Sequence, residues 1–341
     1  MKKIALAVVG TVAASLALYN SQTVTSTSTN FLQVDPVEGM FLNHIAKYDK
    51  SYSSKEEYNY RLSVFKANYQ TILNHNSAND QDFYMTLNQF ADMSPAEFKQ
   101  RLGTRVPKYH HNHSKPLEAP NADSFDWREH NAVNPVKDQG SCGSCWAFSA
   151  VGAMEGAYAI KHGELKQFSE QQLVDCSGGP GEEDNQGCNG GWMDNAFAYA
   201  EENPLEYEQD YKYTGKDETC KYNPDKGVVK VLDYADIPEG DGDALFAALG
   251  STPVSVAVNA GSLAFQFYGG GVITSETLCG KNLDHGIVAV GWGTDGKNPY
   301  YIVRNSWGAS WGEKGYVRIK RTSKGAGVCG INLAASYPIV E

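Results

Sequence analysis

The sequence predicts an α+β protein in which a helical N-terminal domain precedes a larger domain of mixed helices and strands, and three observations predict it. Apolar residues recur at helical spacing between residues 41 and 76. A second helical pattern begins at Trp146, and two short apolar runs at 286–291 and 300–303 then read as paired strands. All seven cysteines, Cys142, Cys145, Cys176, Cys188, Cys220, Cys279 and Cys329, lie in the second part. The 341 residues are 41% hydrophobic and 20% charged, which is ample for a packed core. A net charge of −11, with no basic run longer than two, argues against a nucleic-acid surface and a polybasic membrane anchor.

Along the chain, Lys2-Lys3 precedes an apolar stretch of about 15 residues that ends in small residues, the layout of a secretory signal over residues 1–18. A membrane anchor needs about 20 apolar residues, and no later run supplies them. Export places the cysteines in an oxidising compartment, so the odd count implies three disulfides and one free thiol, with zinc ligation the minor alternative. Residues 21–30 read as a Ser/Thr-rich link. A first helix then carries Phe41, Leu42, Ile45 and Tyr48 on one face, and a longer one over 55–76 aligns Glu57, Arg61, Phe65, Asn68, Ile72 and Asn76 in one stripe. The stretch 106–116 reads as an exposed linker, which puts a domain boundary between Pro107 and Asn121. The charge supports it, with +2 net over residues 1–118 and −13 over 119–341. His110, His111 and His113 are accounted for by a solvated linker, the alternative being that their protonation near pH 6 loosens the N-terminal domain. Asn112-His113-Ser114 is an N-glycosylation sequon.

The segment Gln139-Gly-Ser-Cys142-Gly-Ser-Cys145-Trp146 sits where a loop meets a helix, because Ala147, Ala150, Val151, Met154, Ala157 and Tyr158 follow at helical spacing up to Gly163. Cys145 thus lies at a helix N-terminus, where unpaired N–H groups and the macrodipole favour a thiolate, the nucleophile that acyl transfer needs. Cys142 and Cys145 also form a C-x-x-C, which alone would suit a thiol–disulfide oxidoreductase or half a zinc site. The chain lacks the second ligand pair and the βαβ pattern those require.

A thiolate nucleophile needs a base. Of the three histidines beyond residue 119, His162 ends the helix that Cys145 begins, about 25 Å away at 1.5 Å per residue, and His130 lies in a polar stretch. His285 opens the first strand run. A hairpin folded about residue 295, within the turn-rich 293–299, sets it beside Asn305, whose side-chain oxygen can accept the imidazole N–H while Trp307 shields the bond.

Gln139-Gly-Ser-Cys142-Gly-Ser-Cys145-Trp146, Leu283-Asp284-His285-Gly286 and Asn305-Ser306-Trp307-Gly308 together resemble the papain family of cysteine proteases. The 57–76 stripe resembles the helical propeptide motif of the cathepsin L-like branch. Asn88, Phe90 and Asp92 match that branch's second propeptide motif, with Thr86 where Gly is usual.

The resemblance implies a papain-like fold of two lobes, one helical and one β-barrel-like, over residues 119–341, preceded by a helical inhibitory prodomain over 19–118 that blocks the cleft and acts as an intramolecular inhibitor. It implies catalysis without a cofactor or metal. Cys145 would be the nucleophile, His285 the acid–base partner, Asn305 its orienting group and Gln139 an oxyanion donor. The remaining cysteines would pair Cys142–Cys188, Cys176–Cys220 and Cys279–Cys329. Gly190 and Gly191 would pair with an extended protein or peptide substrate. Trp192, Met193, Ala257, Leu283 and Ala334 would wall an apolar second subsite that prefers apolar or aromatic residues, with Asp284 and Trp307 completing the substrate cleft. A monomeric endopeptidase in a lysosome-like acidic vesicle or the medium follows, made as a zymogen. The rival readings are a catalytically silent binding or storage relative and a thiol redox module.

Overall fold

The computed structural model describes residues 35–79, 81–107, 117–181 and 184–341. The signal segment, the Ser/Thr-rich link, His110, His111, His113 and the sequon lie outside the described residues.

The N-terminal domain is helical because its sequence caps its own helices. Asp35 caps α1 (Pro36–Lys47), Ser54 caps α2 (Lys55–Asn76), and Ser94 with Glu97 forms a capping box on α3 (Pro95–Lys99). The buried face of α1 is Phe41 and His44, whereas Leu42, expected on that face, is exposed. The difference arises because the helix begins at Pro36 and meets α2 through Phe41 and Phe65, which leaves Leu42 on the far side. On α2 the polar members of the stripe carry the packing: Asn68 donates to the carbonyls of Ala91 and Met93, and Asn76 bonds both backbone groups of Met85 in β1 (Phe83–Met85).

Downstream, β2 (Phe125–Asp126) precedes α4 (Cys145–His162), α5 (Glu170–Cys176) and α6 (Met193–Glu202), which form a helical lobe. Its core joins Trp146, Met154, Phe168, Leu173 and Phe197. The second lobe is built on β3 (Val231–Asp236), α7 (Gly242–Leu249), β4 (Val254–Val258), α8 (Leu263–Gln266), β5 (Tyr268–Ile273), α9 (Glu276–Cys279), β6 (His285–Asp295), β7 (Asn298–Arg304), β8 (Tyr316–Lys320) and β9 (Ala335–Val340). The strand order is β1-β5-β8-β7-β6-β4-β9-β3, with β2 on β6, and only β5–β8 is parallel. The N-terminal domain therefore contributes β1 to the edge of the downstream sheet. Its Phe41, Phe65, Phe90 and Phe98 share one continuous core with Phe265, Trp307 and Trp311.

The β6–β7 hairpin is longer than the sequence suggests. Pairing continues to Asp295 opposite Asn298, so most of the segment expected to be turn is strand, and only 296–297 remain as the loop. A bulge between Ala289 and Gly291 shifts the register to Val288 opposite Arg304. Asn305 thus sits just beyond the paired strand rather than directly across from His285, and its side chain spans the offset. Three disulfides, Cys142–Cys188, Cys176–Cys220 and Cys279–Cys329, leave Cys145 as the free thiol.

Candidate active site

Cys145 is the first residue of α4. Its N-cap, Ser144, makes no side-chain cap and instead bonds the Tyr213 hydroxyl at 2.7 Å, so the first-turn amides keep their positive end for the thiol. β6 and α4 pack directly on one another, which brings His285 and Gly286 to the start of the helix. His285 Nε2 lies 2.7 Å from Asn305 Oδ1. That oxygen also accepts the Ser306 N–H at 2.7 Å, and an amide oxygen only accepts, so the proton of the neutral ring is on Nε2 and Nδ1 is the free base. Trp307 stacks on the imidazole, with ring centroids 4.6 Å apart, and Phe265, Phe90, Phe98 and Trp311 pack edge or face onto Trp307. The histidine–amide bond is thereby sealed from water.

A strand of the N-terminal domain lies on these groups. The Gly103 N–H points at Cys145 Sγ at 3.4 Å and the Thr104 hydroxyl stands 3.5 Å from it. The Gln139 side-chain amide donates to the Arg101 carbonyl at 3.0 Å, while its own oxygen is fixed by the Ser306 hydroxyl at 2.7 Å. Gly191 donates to Gly103 O and accepts from Arg105 N–H at 2.8 and 2.9 Å, a parallel pairing about Thr104, and Thr104 N–H bonds Asp284 O. The pairing needs close approach: a Cβ on Gly190 would meet Gly103 O, and one on Gly191 the Trp146 ring.

Sealing sets the protonation states. Burial pushes the Cys145 thiol up, outweighing the Gly286, Thr104 and Gly103 donors that favour the thiolate. The low thiol pKa expected from the helix terminus is opposed in the covered site by this burial. Burial likewise lowers His285 to about 4, against the Asn305 hydrogen bond and the Asp284 charge. Asp284 is raised by burial, although its carboxyl accepts the Ala260 and Gly261 N–H groups. Burial in the covered centre thus works against charge on both the thiol and the imidazole.

Trp192, Met193, Ala257 and Ala334 are buried together in one apolar cluster with Leu283 against it, and Ala257 N–H bonds Ala334 O. These residues belong to the buried core of the helical lobe. Sequence reasoning missed Ser306, whose only signal is its place beside Asn305, and Gln89, which donates to the Trp307 carbonyl at 2.7 Å. It also missed Arg101, Gly103 and Thr104, which carry no motif. Among the described residues no three ligand-type side chains are grouped for a metal, and no helix is long and apolar enough to cross a membrane.

The papain family cysteine protease model matches residues 121–339, and the cathepsin propeptide inhibitor domain matches 41–98. The chain belongs to the papain family of cysteine proteases. Procathepsin L of Mus musculus is 42% identical over 85% of this chain and 88% of its own length. Among solved structures, digestive procathepsin L 3 of the Tenebrio molitor larval midgut is similar with TM-score 0.78 at 40% identity, covering 89% of this chain and 99% of that one. The recombinant stem bromelain precursor gives TM-score 0.79 at 35% identity, again over 89% of this chain and 99% of that one. This is a cathepsin L-like cysteine endopeptidase with its propeptide, a zymogen of papain-like fold.

Proposed function

We propose that Cys145 is the nucleophile of this endopeptidase, His285 its acid–base partner, Asn305 the group that orients the imidazole, and Gln139 with the Cys145 backbone N–H the oxyanion hole. The observation that carries the reading is the strand at 101–105. It occupies the cleft as an extended chain and places a carbonyl on Gln139, while it turns an N–H and a hydroxyl toward the thiol. A substrate is inferred to run the opposite way along Gly190 and Gly191. Cys145 Sγ then bonds to the scissile carbonyl carbon, the proton passes through His285 to the departing amine, and water hydrolyses the thioester. The oxyanion donors contribute about 3 to 4 kcal/mol each in such sites.

The domain limits follow the same reading: signal 1–18, prodomain 19–118 and a monomeric mature enzyme over 119–341. Trp192, Met193, Ala257, Leu283 and Ala334 form the second subsite, and its floor at Ala334 holds no carboxylate, so Leu or Phe is favoured there over Arg. An acidic vesicle or the medium is the proposed destination. Peptide hydrolysis across pH 4 to 8 tests the assignment: Cys145→Ser lowers kcat by at least about 10⁴-fold, and Phe substrates exceed Arg substrates in kcat/KM. Full activity in Cys145→Ser, or a preference for Arg, contradicts it.

A further inference from the structure

Behind the wall that Trp192 gives the second subsite lies a buried carboxyl pair with no part in the chemistry above. Trp192 caps α6 and Asp194 stands in its first turn. The Trp192 indole Nε1 donates to Asp194 Oδ2 at 2.6 Å, and the Ser336 hydroxyl of β9 donates to Oδ1 at 2.5 Å. Asp236 ends β3 opposite Ser336 in the β3–β9 register, which sets its carboxyl against that of Asp194. Both Asp236 oxygens are buried, and neither receives an N–H or hydroxyl hydrogen bond among the described residues. Two carboxylates in contact in a buried site do not both ionise, and Asp194 is the one already supplied with donors. Asp236 gains a partner only by keeping its proton and donating to Asp194.

We propose that Asp194 and Asp236 share one proton, and that the protonated pair is the positioning element that fixes the Trp192 side of the second subsite. The proposal rests on the assignment of Trp192 to that subsite. Burial first, then the charge and hydrogen bond of Asp194, push Asp236 up to about 8. Tyr234 of β3 faces both carboxylates, and Glu201 of α6 and Asp233 of β3 face Tyr234 in turn, all acids. Asp236 also borders a cavity lined by Leu117, Ala119, Asp241, Asp243 and Lys324. Lys324 is engaged there by Asp241 at 2.9 Å and Asp243 at 4.0 Å. When the shared proton is lost, two carboxylates repel, and the repulsion acts on Asp194, the one that holds the indole. The subsite then loses its fixed wall as pH rises, while the shared proton is retained in acid.

The test uses the processed enzyme and two peptide substrates that differ only in Phe or Ala at the second residue before the scissile bond. Their kcat/KM ratio is followed from pH 6 to 9. The ratio cancels the titration of Cys145 and His285, which both substrates experience alike. Wild type is expected to lose about fivefold in the ratio as pH rises through this range and the pair loses its proton. Asp236→Asn, a permanently neutral donor, holds its acid-pH ratio to pH 9. Trp192→Ala has a lower ratio at every pH. A wild-type ratio constant across the range overturns the proposal even if Asp236→Asn does not fold, and so does an Asp236→Asn profile that follows wild type. If Trp192→Ala leaves the ratio unchanged, the subsite assignment fails and takes the proposal with it. If Trp192→Ala lowers the ratio while wild type stays flat, the subsite stands and the shared proton alone is rejected.

Discussion

Residues 101–105 and the helical globule of 36–99 both cover the enzyme, yet the first does so mainly with its backbone and the second mainly with its side chains. The strand's contacts are mainly amide and carbonyl groups laid on Gly191, Asp284, Gln139 and Cys145, to which the Arg101 and Arg105 side chains add bonds to the Gly140 and Asn189 carbonyls. The globule instead inserts Phe90 and Phe98 edge-on against Trp307 at 5.4 and 5.2 Å, bonds Asn88 to the Gln266 carbonyl, and adds β1 to the sheet. Its interior is tied by one carboxylate: Asp92 receives Lys50 at 3.1 Å and Tyr52 at 2.9 Å, with His44 Nε2 at 3.2 Å. The division teaches that the strand decides what the cleft is filled with, while the globule decides how firmly and at what pH it stays filled.

The comparison is broken most severely by removing the globule's aromatic anchor. Phe98 is fully buried between the two domains. Phe98→Ala should cost about 3 to 5 kcal/mol of docking, more than a hundredfold in the open fraction of the proenzyme. The readout is alkylation of Cys145, the free thiol in the described chain, at neutral pH before processing. An alkylation rate within twofold of wild type would mean that the strand alone carries the seal.

Asp92→Asn tests the pH half of the comparison. Burial disfavours the Asp92 carboxylate, but His44, Lys50 and Tyr52 outweigh it and hold the group well below the usual carboxylate range. A depressed native pKa contributes stability above the ordinary value near 4 and loses it as pH falls toward the native value, so the globule loosens from about pH 5 downward. Asn keeps some hydrogen bonds but not the charge. The variant proenzyme should open at pH 7 by about 2 kcal/mol, roughly thirtyfold. The steepening of wild-type processing in acid should shrink with it. Gel-resolved processing rates from pH 7 to 4 measure both, and an unaltered acid dependence would place the pH response elsewhere.

How far the sequence discloses each region follows from how each is built. The residues proposed for catalysis, Cys145, His285, Asn305 and Gln139, are legible because nucleophilic catalysis demands particular side chains, and these leave spacing and flanking motifs. The α2 stripe is legible for the same reason, since Asn68 and Asn76 act through side chains. The cleft strand is not, because backbone groups leave no residue signature. The hairpin register was displaced by the bulge at Ala289 and Gly291, a local insertion that strand alternation does not reveal. The Asp194–Asp236 contact is a tertiary pairing of residues 42 apart, on a helix and a strand that meet only in the fold.

Gly103→Ala is the smallest and most local break, and it separates the two regions cleanly. A Cβ at Gly103 would fall on the Gly143 carbonyl, which is backbone and cannot swing aside. The strand must therefore lift, weakening the contacts to Gly191 and Cys145, at about 1 to 2 kcal/mol for a one-carbon overpacking. Cys145 alkylation in the proenzyme should rise about tenfold. Water reaching the thiol should also relieve the burial that now holds its pKa up, so the alkylation pH profile moves to lower pH. The Asp92 node lies outside this contact, and the acid dependence of processing should keep its wild-type midpoint. A Gly103→Ala effect larger than that of Phe98→Ala would reverse the ranking, making the backbone strand the source of affinity and the aromatic globule its support.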